Sequence, residues 1–377
     1  MKGFFPLILA VMPGLILSGC SAKTTVEPLW IGHIAQLSGS RKAQGVQARL
    51  GVNLAVDETT TAGLRVMGRP LAVRHVDTRG EAETPRAEAV RLIAVSKVSA
   101  LLVDVDSAQA ERVGRESLPY GVPVLVCGEL ASPPGENVFV LGAGPEARGR
   151  ALARCAAETL KADAVLVVID GRNALAGAVA ASFLKECRKI GKPKAEEVEY
   201  LTEEEFKERL SGVIKAKPQA VLLAGSVSDC QRLRSELLTA GLRPPVLFGG
   251  EDFGVIRLWR ESDVRPDVYL ATVFAAEGLK ENEKGREFAR RFQEAAGEPP
   301  TLAAALTYDG TRLLFEALRK AETDNGPRVR EQLAKIEAFD SVTGSLSFKD
   351  HQAVRPVFVV RVQGNEAKVV KTFRSDE

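Results

Sequence analysis

The chain has 377 residues, and its 51 basic residues nearly balance 49 acidic ones, which gives a net charge of +2. That balance argues against a nucleic-acid-binding surface and gives no sign of a strongly acidic partner. The length is sufficient for two α/β domains with separate cores.

The first twenty residues predict a secretion signal. Lys2 supplies the positive start, and Phe4 to Leu17 is an apolar run that is short and interrupted by Pro and Gly. The sequence Leu17-Ser18-Gly19-Cys20 resembles the lipobox of bacterial lipoproteins, in which cleavage precedes the cysteine and the cysteine is lipidated. We therefore expect a signal peptide over 1–19, lipid on Cys20 and a tether over 20–28, which would anchor the protein to a membrane outside the cytoplasm. An ordinary signal peptide with an incidental cysteine stays open as the alternative.

The first half of the chain alternates apolar strands with helices. A strand is predicted over 29–36, followed by a turn over 37–40 and a helix whose inward face carries Val46, Leu50 and Leu54. Further strands are predicted over 69–76, 100–105 and 122–126. Each is followed by polar loop residues, which is typical of α/β units.

The pattern starts again near residue 144, with strands predicted over 164–169, 220–224 and 246–248. Amphipathic helices over 282–296 and 302–320 follow, and then short strands over 344–348, 357–363 and 369–373. Strands that alternate with helices predict parallel sheets covered on both faces. Two such rounds predict two similar lobes, and the mixed C-terminal part predicts that the chain crosses back between them.

Motifs for nucleotide binding and catalysis are missing from the sequence. It contains neither G-x-x-x-x-G-K-[ST] nor G-x-S-x-G, and the S-x-x-K match at Ser182–Lys185 falls inside a predicted helix. The three histidines lack metal-ligand spacing, and a disulfide between Cys155 and Cys187 stays open. We therefore expect a protein that is not an enzyme and uses no cofactor or metal.

Polar residues follow the predicted strands in both lobes. In an open α/β sheet, ligands bind where loops leave the carboxyl ends of the strands. Two lobes that turn these edges toward each other would form a cleft for a small molecule. The candidate ligand-binding residues are Ser38, Arg41, Ser107 and Glu129 in the first lobe, and Asp170, Ser226 and Glu251 in the second.

Several phrases resemble the leucine/isoleucine/valine-binding type of periplasmic binding protein, type I. These are the LSGS loop, LFGGEDF over 247–253, LTYDGTRLLFEALRKA over 306–321 and FDSVTGSLSFKDHQAVRPVFVVRV over 339–362. The resemblance implies two Rossmann-like lobes with parallel central sheets, joined by three crossovers. With the sequence pattern it places lobe 1 at 29–142 plus 278–340 and lobe 2 at 143–277 plus 341–377.

The same resemblance implies a function. The lobes would close on an amino acid or a related amine-bearing molecule and deliver it to an ABC permease. Ser107 matches the hydroxyl-bearing loop that holds the ligand, and Glu251 matches the acid that takes its ammonium group.

Two loops depart from the family pattern. Cys127-Gly128-Glu129-Leu130 stands where the family has small residues and a threonine, and Asn173-Ala174-Leu175 lacks the usual aromatic residue. The alternative is therefore a ligand-free envelope lipoprotein of the same fold that binds and regulates a cell-wall enzyme.

Overall fold

The computed structural model describes residues 26–250, 267–280, 283–363 and 366–374. Within them the strands are β1 (Leu29–Ala35), β2 (Leu71–Asp77), β3 (Ala100–Asp104), β4 (Val124–Val126), β5 (Val138–Val140), β6 (Ala164–Asp170), β7 (Lys194–Tyr200), β8 (Ala220–Ala224), β9 (Val246–Phe248), β10 (Val268–Thr272), β11 (Phe339–Ser341), β12 (Gly344–Lys349), β13 (Gln352–Val354), β14 (Val357–Gln363) and β15 (Glu366–Phe373). The helices are α1 (Lys42–Thr61), α2 (Thr84–Ala94), α3 (Ser107–Ser117), α4 (Pro145–Arg154), α5 (Ala174–Ile190), α6 (Glu203–Ala216), α7 (Val227–Thr239), α8 (Glu283–Ala296), α9 (Leu302–Ala321) and α10 (Gly326–Ala334).

The strands form two sheets, and each sheet is the centre of one lobe. The first has the order β11-β12-β13-β5-β4-β3-β1-β2, and the second has the order β15-β14-β10-β9-β8-β6-β7. Strands β1 to β5 pair in parallel, as do β6 to β10, whereas β14 and β15 add antiparallel pairs. The predicted α/β architecture of two lobes is therefore confirmed.

The sequence prediction missed strand β7, whose residues are KAEEVEY. This strand is at the edge of the second sheet and pairs only with β6 in the strand order. Its charged side chains are mostly exposed. An edge strand with one solvated face needs no continuous apolar run, so the hydrophobic pattern that identified β6 was not available here.

The C-terminal hairpin bears on the lobe boundary, which the sequence predicts at 340/341. The hairpin strands β11 to β13 belong to the first sheet, where Gln352 pairs in parallel with Val140 of β5. Strand β14 pairs instead with β10 of the second sheet. We therefore propose that the chain passes between the lobes at Arg355-Pro356, so that 341–354 belongs to lobe 1. A hairpin sequence pattern identifies the strands but not the sheet that they join.

Helix α1 buries the predicted face in part: Leu54 is 8% exposed and packs in the core with Ala55, but the stripe does not remain buried toward its start. Val46 is 38% exposed, whereas Ala48, Val52 and Ala55 are fully buried. The helix packs closely on α9 at Gly51. A Cβ atom added to Gly51 would lie only 2.3 Å from the carbonyl oxygen of Ala304, so a larger residue would not fit there. Small residues allow this close approach, and of the aliphatic stripe only Val46 is turned away from the core.

Two histidines form a pair between the first sheet and α1. His33 of β1 and His75 of β2 are register partners, and their Nδ1 atoms are 2.8 Å apart. Burial, followed by the charges of His75 and Arg49, lowers the pKa of His33 well below its ordinary value. Burial and then Arg49 lower the pKa of His75 to about 4. Both rings are therefore neutral in the folded protein at pH 7, with one Nδ1 donating and the other accepting.

We expect this pair to weaken the fold in mild acid. Between pH 6.5 and about 4 the unfolded chain binds a proton at the His75 ring and the folded chain does not, so stability falls as pH falls, by about 1.4 kcal/mol per pH unit. The lowered pKa of His33 acts in the same direction. Urea unfolding of the wild type and of His75→Gln between pH 7 and pH 5 measures the effect. The two proteins have the same carboxyl groups, so the effect of these groups on the pH dependence of stability cancels when the two curves are compared. Parallel stability curves for the two proteins would contradict the prediction.

Candidate functional site

The loop after β1 is held by the acid that ends β2. Asp77 accepts hydrogen bonds from the backbone N–H groups of Leu37, Ser38 and Arg79, at 2.9, 3.1 and 2.9 Å. Burial raises the pKa of Asp77, but bonds from Ser38, Arg79 and Leu37 outweigh it, so the pKa lies below its ordinary value. Asp77 thereby fixes the turn that presents Ser38 and the following Arg41 at the carboxyl edge of the first sheet.

Asp104 is a buried acid at this edge that sequence analysis missed. It ends β3 and is 2% exposed, whereas the predicted strand continued to Val105. Burial raises the pKa of Asp104 to about 6, against the opposing charge of Arg41 and a hydrogen bond from Gln44. The Nε2 atom of Gln44 is 3.4 Å from Asp104, and Gln44 accepts from Nε of Arg41 at 3.1 Å. The predicted site residue Arg41 therefore lies beside a carboxyl group.

Ser107 is the first residue of α3, after Asp106, which caps the helix. The Asp106 carboxylate accepts from the N–H of Gln109 at 2.9 Å. Ser107 is half-buried, and its position at the start of α3 is at the carboxyl edge of the first sheet, as predicted. Its proposed partner Glu251 lies outside the described residues, as does Asp252, so the structure does not test their convergence.

Glu129, in the loop after β4, forms a buried ion pair with Arg148 of α4. Their Oε2 and Nη1 atoms are 2.8 Å apart, and the two side chains are 4% and 0% exposed. Arg148 also donates from Nε to the carbonyl oxygen of Ala271 in β10, and from Nη2 to that of Gly250 after β9. This arginine therefore joins the loop after β4 in the first lobe to the loop after β9 in the second.

The second lobe brings Asp170 close to the start of α7. Asp170 is 5% exposed and is paired with Arg172, whose Nε and Nη2 atoms donate to the two carboxylate oxygens at 2.8 and 3.0 Å. A Cβ on Gly225 would lie 2.7 Å from the Tyr200 hydroxyl oxygen and 3.7 Å from the Cβ of Asp170. The ends of β6, β7 and β8 therefore meet at one point.

Ser226 caps α7 at that same point. Its hydroxyl donates to Asp229 at 2.6 Å and accepts from the N–H of Asp229 at 3.1 Å. Tyr200 donates to the same carboxylate at 2.8 Å, and burial, then the charge of Asp229, raises the pKa of Tyr200. Ser226 thus has a structural role in this capping box, whatever else it contacts.

Apart from Glu251, the predicted residues therefore lie after strands of the two sheets, and most of these described residues are engaged with other protein groups. Glu129 and Asp170 are each neutralised by an arginine, and neither arginine was among the predicted site residues. Arg172 is two residues from Asp170 in the sequence, so their ion pair could have been predicted. Arg148 lies in a helix of sequence PEARGRALAR, where its charge gives no sign of burial.

Within the described residues no group of three or more His, Cys, Asp and Glu side chains could hold a metal ion. The same residues contain no helix with the length and hydropathy needed to span a membrane.

Comparison with known proteins gives consistent matches in family and fold. The sequence profile of a family described as periplasmic binding protein matches residues 28–367. A search of curated proteins found no significant match.

Many solved structures share the fold. A leucine-binding protein from Thermotoga maritima is 20% identical with a TM-score of 0.80, and the match covers 92% of this chain and 99% of that one. A branched-chain amino acid transporter substrate-binding protein from Streptococcus pneumoniae, solved with isoleucine, is 22% identical with a TM-score of 0.74, covering 92% and 100%. A solute-binding protein of an ABC transporter from Rhodopseudomonas palustris, solved with 3,4-dihydroxybenzoic acid, is 18% identical with a TM-score of 0.75, covering 92% and 98%.

Proposed function

Because the chain belongs to the periplasmic binding protein family, we propose that it closes its two lobes on a small organic solute and delivers that solute to an ABC permease. One observation supports this most directly. The Arg148 side chain contacts both Glu129 and Gly250, so the carboxyl edges of the two sheets are adjacent. Ligands of α/β sheets bind at such edges.

Membership implies a binding protein that acts outside the cytoplasm, not an enzyme. Binding would then work through lobe closure. A ligand shifts such an equilibrium only by the extra contacts that it makes in the closed state. The ligand-binding residues that we propose come from both lobes: Ser38, Arg41, Ser107, Glu129, Asp170, Ser226 and Glu251.

We infer an amino acid or a similar amine-bearing molecule as the ligand. Glu129 and Asp170 each already hold an arginine, so a ligand ammonium would compete with those guanidinium groups. Glu251 is the remaining acid of the proposed set. The family resemblance implies that its carboxylate binds the ammonium group of the ligand. The S. pneumoniae protein was solved with isoleucine, which carries such a group. The R. palustris protein was solved with an aromatic acid, so ligands without an amine are part of the test.

The ligand class can be tested by thermal-shift screening of amino acids, polyamines and aromatic acids, followed by calorimetry on Glu251→Ala. Loss of the ammonium partner should cost about 2–5 kcal/mol, or tens- to thousands-fold in affinity. Asp252→Ala, which removes the neighbouring acid, is the matched control and should change affinity much less. Stabilisation by acids alone, or equal affinity in Glu251→Ala and the wild type, would contradict this ligand class.

One observation favours the second candidate, a ligand-free envelope protein that regulates a cell-wall enzyme. Glu129, Asp170 and Ser226 are already engaged by other groups of the protein, as expected where a binding site has lost its ligand. If no solute of any class raises the melting temperature, this candidate becomes the preferred function. Cross-linking in cells would then identify the partner enzyme.

The lipid anchor is a separate part of the proposal. We expect Cys20→Ser to move the protein from the membrane fraction to the soluble fraction, because a polar tether without lipid has no affinity for a bilayer. Fractionation with immunoblotting measures the change, and Ser21→Ala serves as the control that leaves the anchor intact. A Cys20→Ser protein that remains in the membrane fraction would disprove lipidation at this position.

A further inference from the structure

We propose that Glu129 and Arg148 form an interlobe latch that sets how far the two lobes open, and that Arg148 is thereby a positioning residue for ligand binding. The inference rests on the proposed function in so far as lobe closure is what binds the solute. It requires no knowledge of which solute that is.

Arg148 is fixed within the second lobe. Its helix, α4, packs on α5 and on strand β10. The Nε atom donates to the carbonyl oxygen of Ala271 at 3.1 Å, and Nη2 donates to that of Gly250. A guanidinium group is a planar fork, so these two bonds determine where the third nitrogen, Nη1, points.

That third nitrogen contacts the first lobe. Nη1 is 2.8 Å from Oε2 of Glu129, which follows β4 of the first sheet. Both charged groups are buried. The pair is therefore protected from water and from salt screening, unlike the exposed ion pairs of this protein. Moving the lobes apart would break this ion pair and the 2.8 Å hydrogen bond between Nη1 and Oε2, and this lost contact favours the joined arrangement.

The latch also lies against the first crossover between the lobes. The N–H of Gly142, in the segment that links β5 to α4, donates to the carbonyl oxygen of Gly128 at 2.8 Å. A Cβ on Gly142 would lie 2.3 Å from that oxygen and 2.8 Å from Cγ of Glu129. The backbone of the Glu129 loop is thus packed on the connection about which the lobes must rotate. A hinge movement at Gly142 would change the separation of Glu129 and Arg148 directly.

The latch affects the distance between the parts of the proposed ligand site that the two lobes supply. The latch holds the loop after β4 at a defined distance from Gly250, which immediately precedes the proposed ligand residue Glu251. Loss of the latch would leave the part of the binding site in each lobe intact, but the distance between the two parts would no longer be fixed. Ligand binding would then have to supply the ordering that Arg148 supplies in the wild type, and affinity would fall.

The test measures the distance between the lobes in the absence of ligand. Nitroxide labels on Ser40→Cys and Leu201→Cys, exposed positions at the strand ends of the first and second lobes, allow electron–electron double resonance. The native Cys127, Cys155, Cys187 and Cys230 are all buried, and burial raises the pKa of the Cys155 and Cys187 thiols to about 12. In a protein that also carries Cys20→Ser, the labels will therefore react with the introduced cysteines.

In this doubly labelled protein, Glu129→Gln and Arg148→Lys should each add a population at longer distance, with the ratio of open to closed molecules rising about tenfold or more. Glu186→Gln is the matched control, because the buried Glu186 of α5 forms an ion pair with Arg154 of α4, the helix of Arg148, and this pair lies within the second lobe. It should leave the interlobe distance unchanged.

A third variant, Glu129→Leu with Arg148→Met, covers the case in which the single variants fold poorly, because apolar replacement of a whole buried pair is often tolerated. The expected result is a folded protein that gains the longer distance. Wild-type distances in folded latch variants, or an equal change in Glu186→Gln, would overturn the proposal. Failure of every solute to bind would count against the proposed function and would leave this measurement unaffected.

Discussion

Deletion of residues 344–377 should abolish cooperative folding, because this C-terminal segment supplies strands to both sheets. Strands β12 and β13 extend the first sheet beyond β5, and β14 lies between β10 and β15 in the second. Phe358, Val359, Val360 and Val362 of β14 are at most 3% exposed. Burial of one such side chain contributes about 1.5–3 kcal/mol, so these four alone account for a free energy comparable with the whole stability of a typical domain, about 5–15 kcal/mol.

Circular dichroism during urea unfolding measures the effect of this deletion. A protein that ends at Arg374 is the control and should unfold like the full chain, since it keeps β15 complete. A second truncation after Pro356 retains β11 to β13, so it should spare the first lobe and disrupt the second. A stable core that unfolds cooperatively without 344–377 would contradict this account of the topology.

Replacement of Asp309 by Ala should cost about 3–5 kcal/mol of stability, because it leaves the buried charge of Arg355 without its partner. Asp309 of α9 is fully buried, and its Oδ2 atom lies 3.2 Å from Nη2 of Arg355 in side chains that are 0% and 1% exposed. Asp309 also accepts the N–H of Val342 at 3.1 Å, and Nη2 of Arg355 donates to Thr343 at 2.7 Å. The cluster ties α9 to the hairpin of the first sheet at the point where the chain leaves for the second lobe.

Equilibrium urea denaturation of Asp309→Ala measures that cost. The double variant Asp309→Leu with Arg355→Met is the comparison, because it removes both charges and should recover much of the loss. Arg319→Ala removes an exposed pair with Glu316 on the same helix and should change stability by no more than about 1 kcal/mol. A loss in Asp309→Ala that is no larger than in Arg319→Ala would show that the buried pair contributes little.

The pKa of Asp309 reflects two opposing effects of its buried position beside an arginine. Burial raises this pKa, and the neighbouring charges of Arg355 and Arg312 oppose the rise. The Asp309 carboxylate is therefore dependent on its arginine, whereas Glu316 is partly accessible to solvent and pairs with both Arg319 and Lys320. Sequence alone gives no means of distinguishing the two acids, since both lie in one helix of regular pattern.

Much of the fold followed from the hydrophobic pattern. Strands β3, β6, β8 and β9 were predicted within two residues at each end, because parallel strands buried on both faces appear as uninterrupted apolar runs. The amphipathic faces of α8 and α9 were also predicted, and Phe288, Phe292, Leu306 and Leu313 are buried. The alternation of these elements was enough to predict two lobes.

The site was predicted only in part. Positions after strands are determined by chain order, so Ser38, Ser107, Glu129, Asp170 and Ser226 could be assigned to the carboxyl edges of two sheets. Their partners could not be assigned in this way. Asp104 was predicted as part of a strand, which it does end, but not as a buried acid whose pKa burial raises to about 6.

The sequence by itself determined many of the elements, the two-lobed α/β class and the edge at which polar residues gather, because these depend on the local period of hydrophobicity and on strand direction. Only the tertiary structure decided which charges are neutralised and which sheet the last strands join. Arg148 reaches Glu129 across 19 positions of sequence, Ala271 across 123 and Gly250 across 102. Such contacts depend on how two separately formed lobes pack, and no local pattern in the chain records that packing.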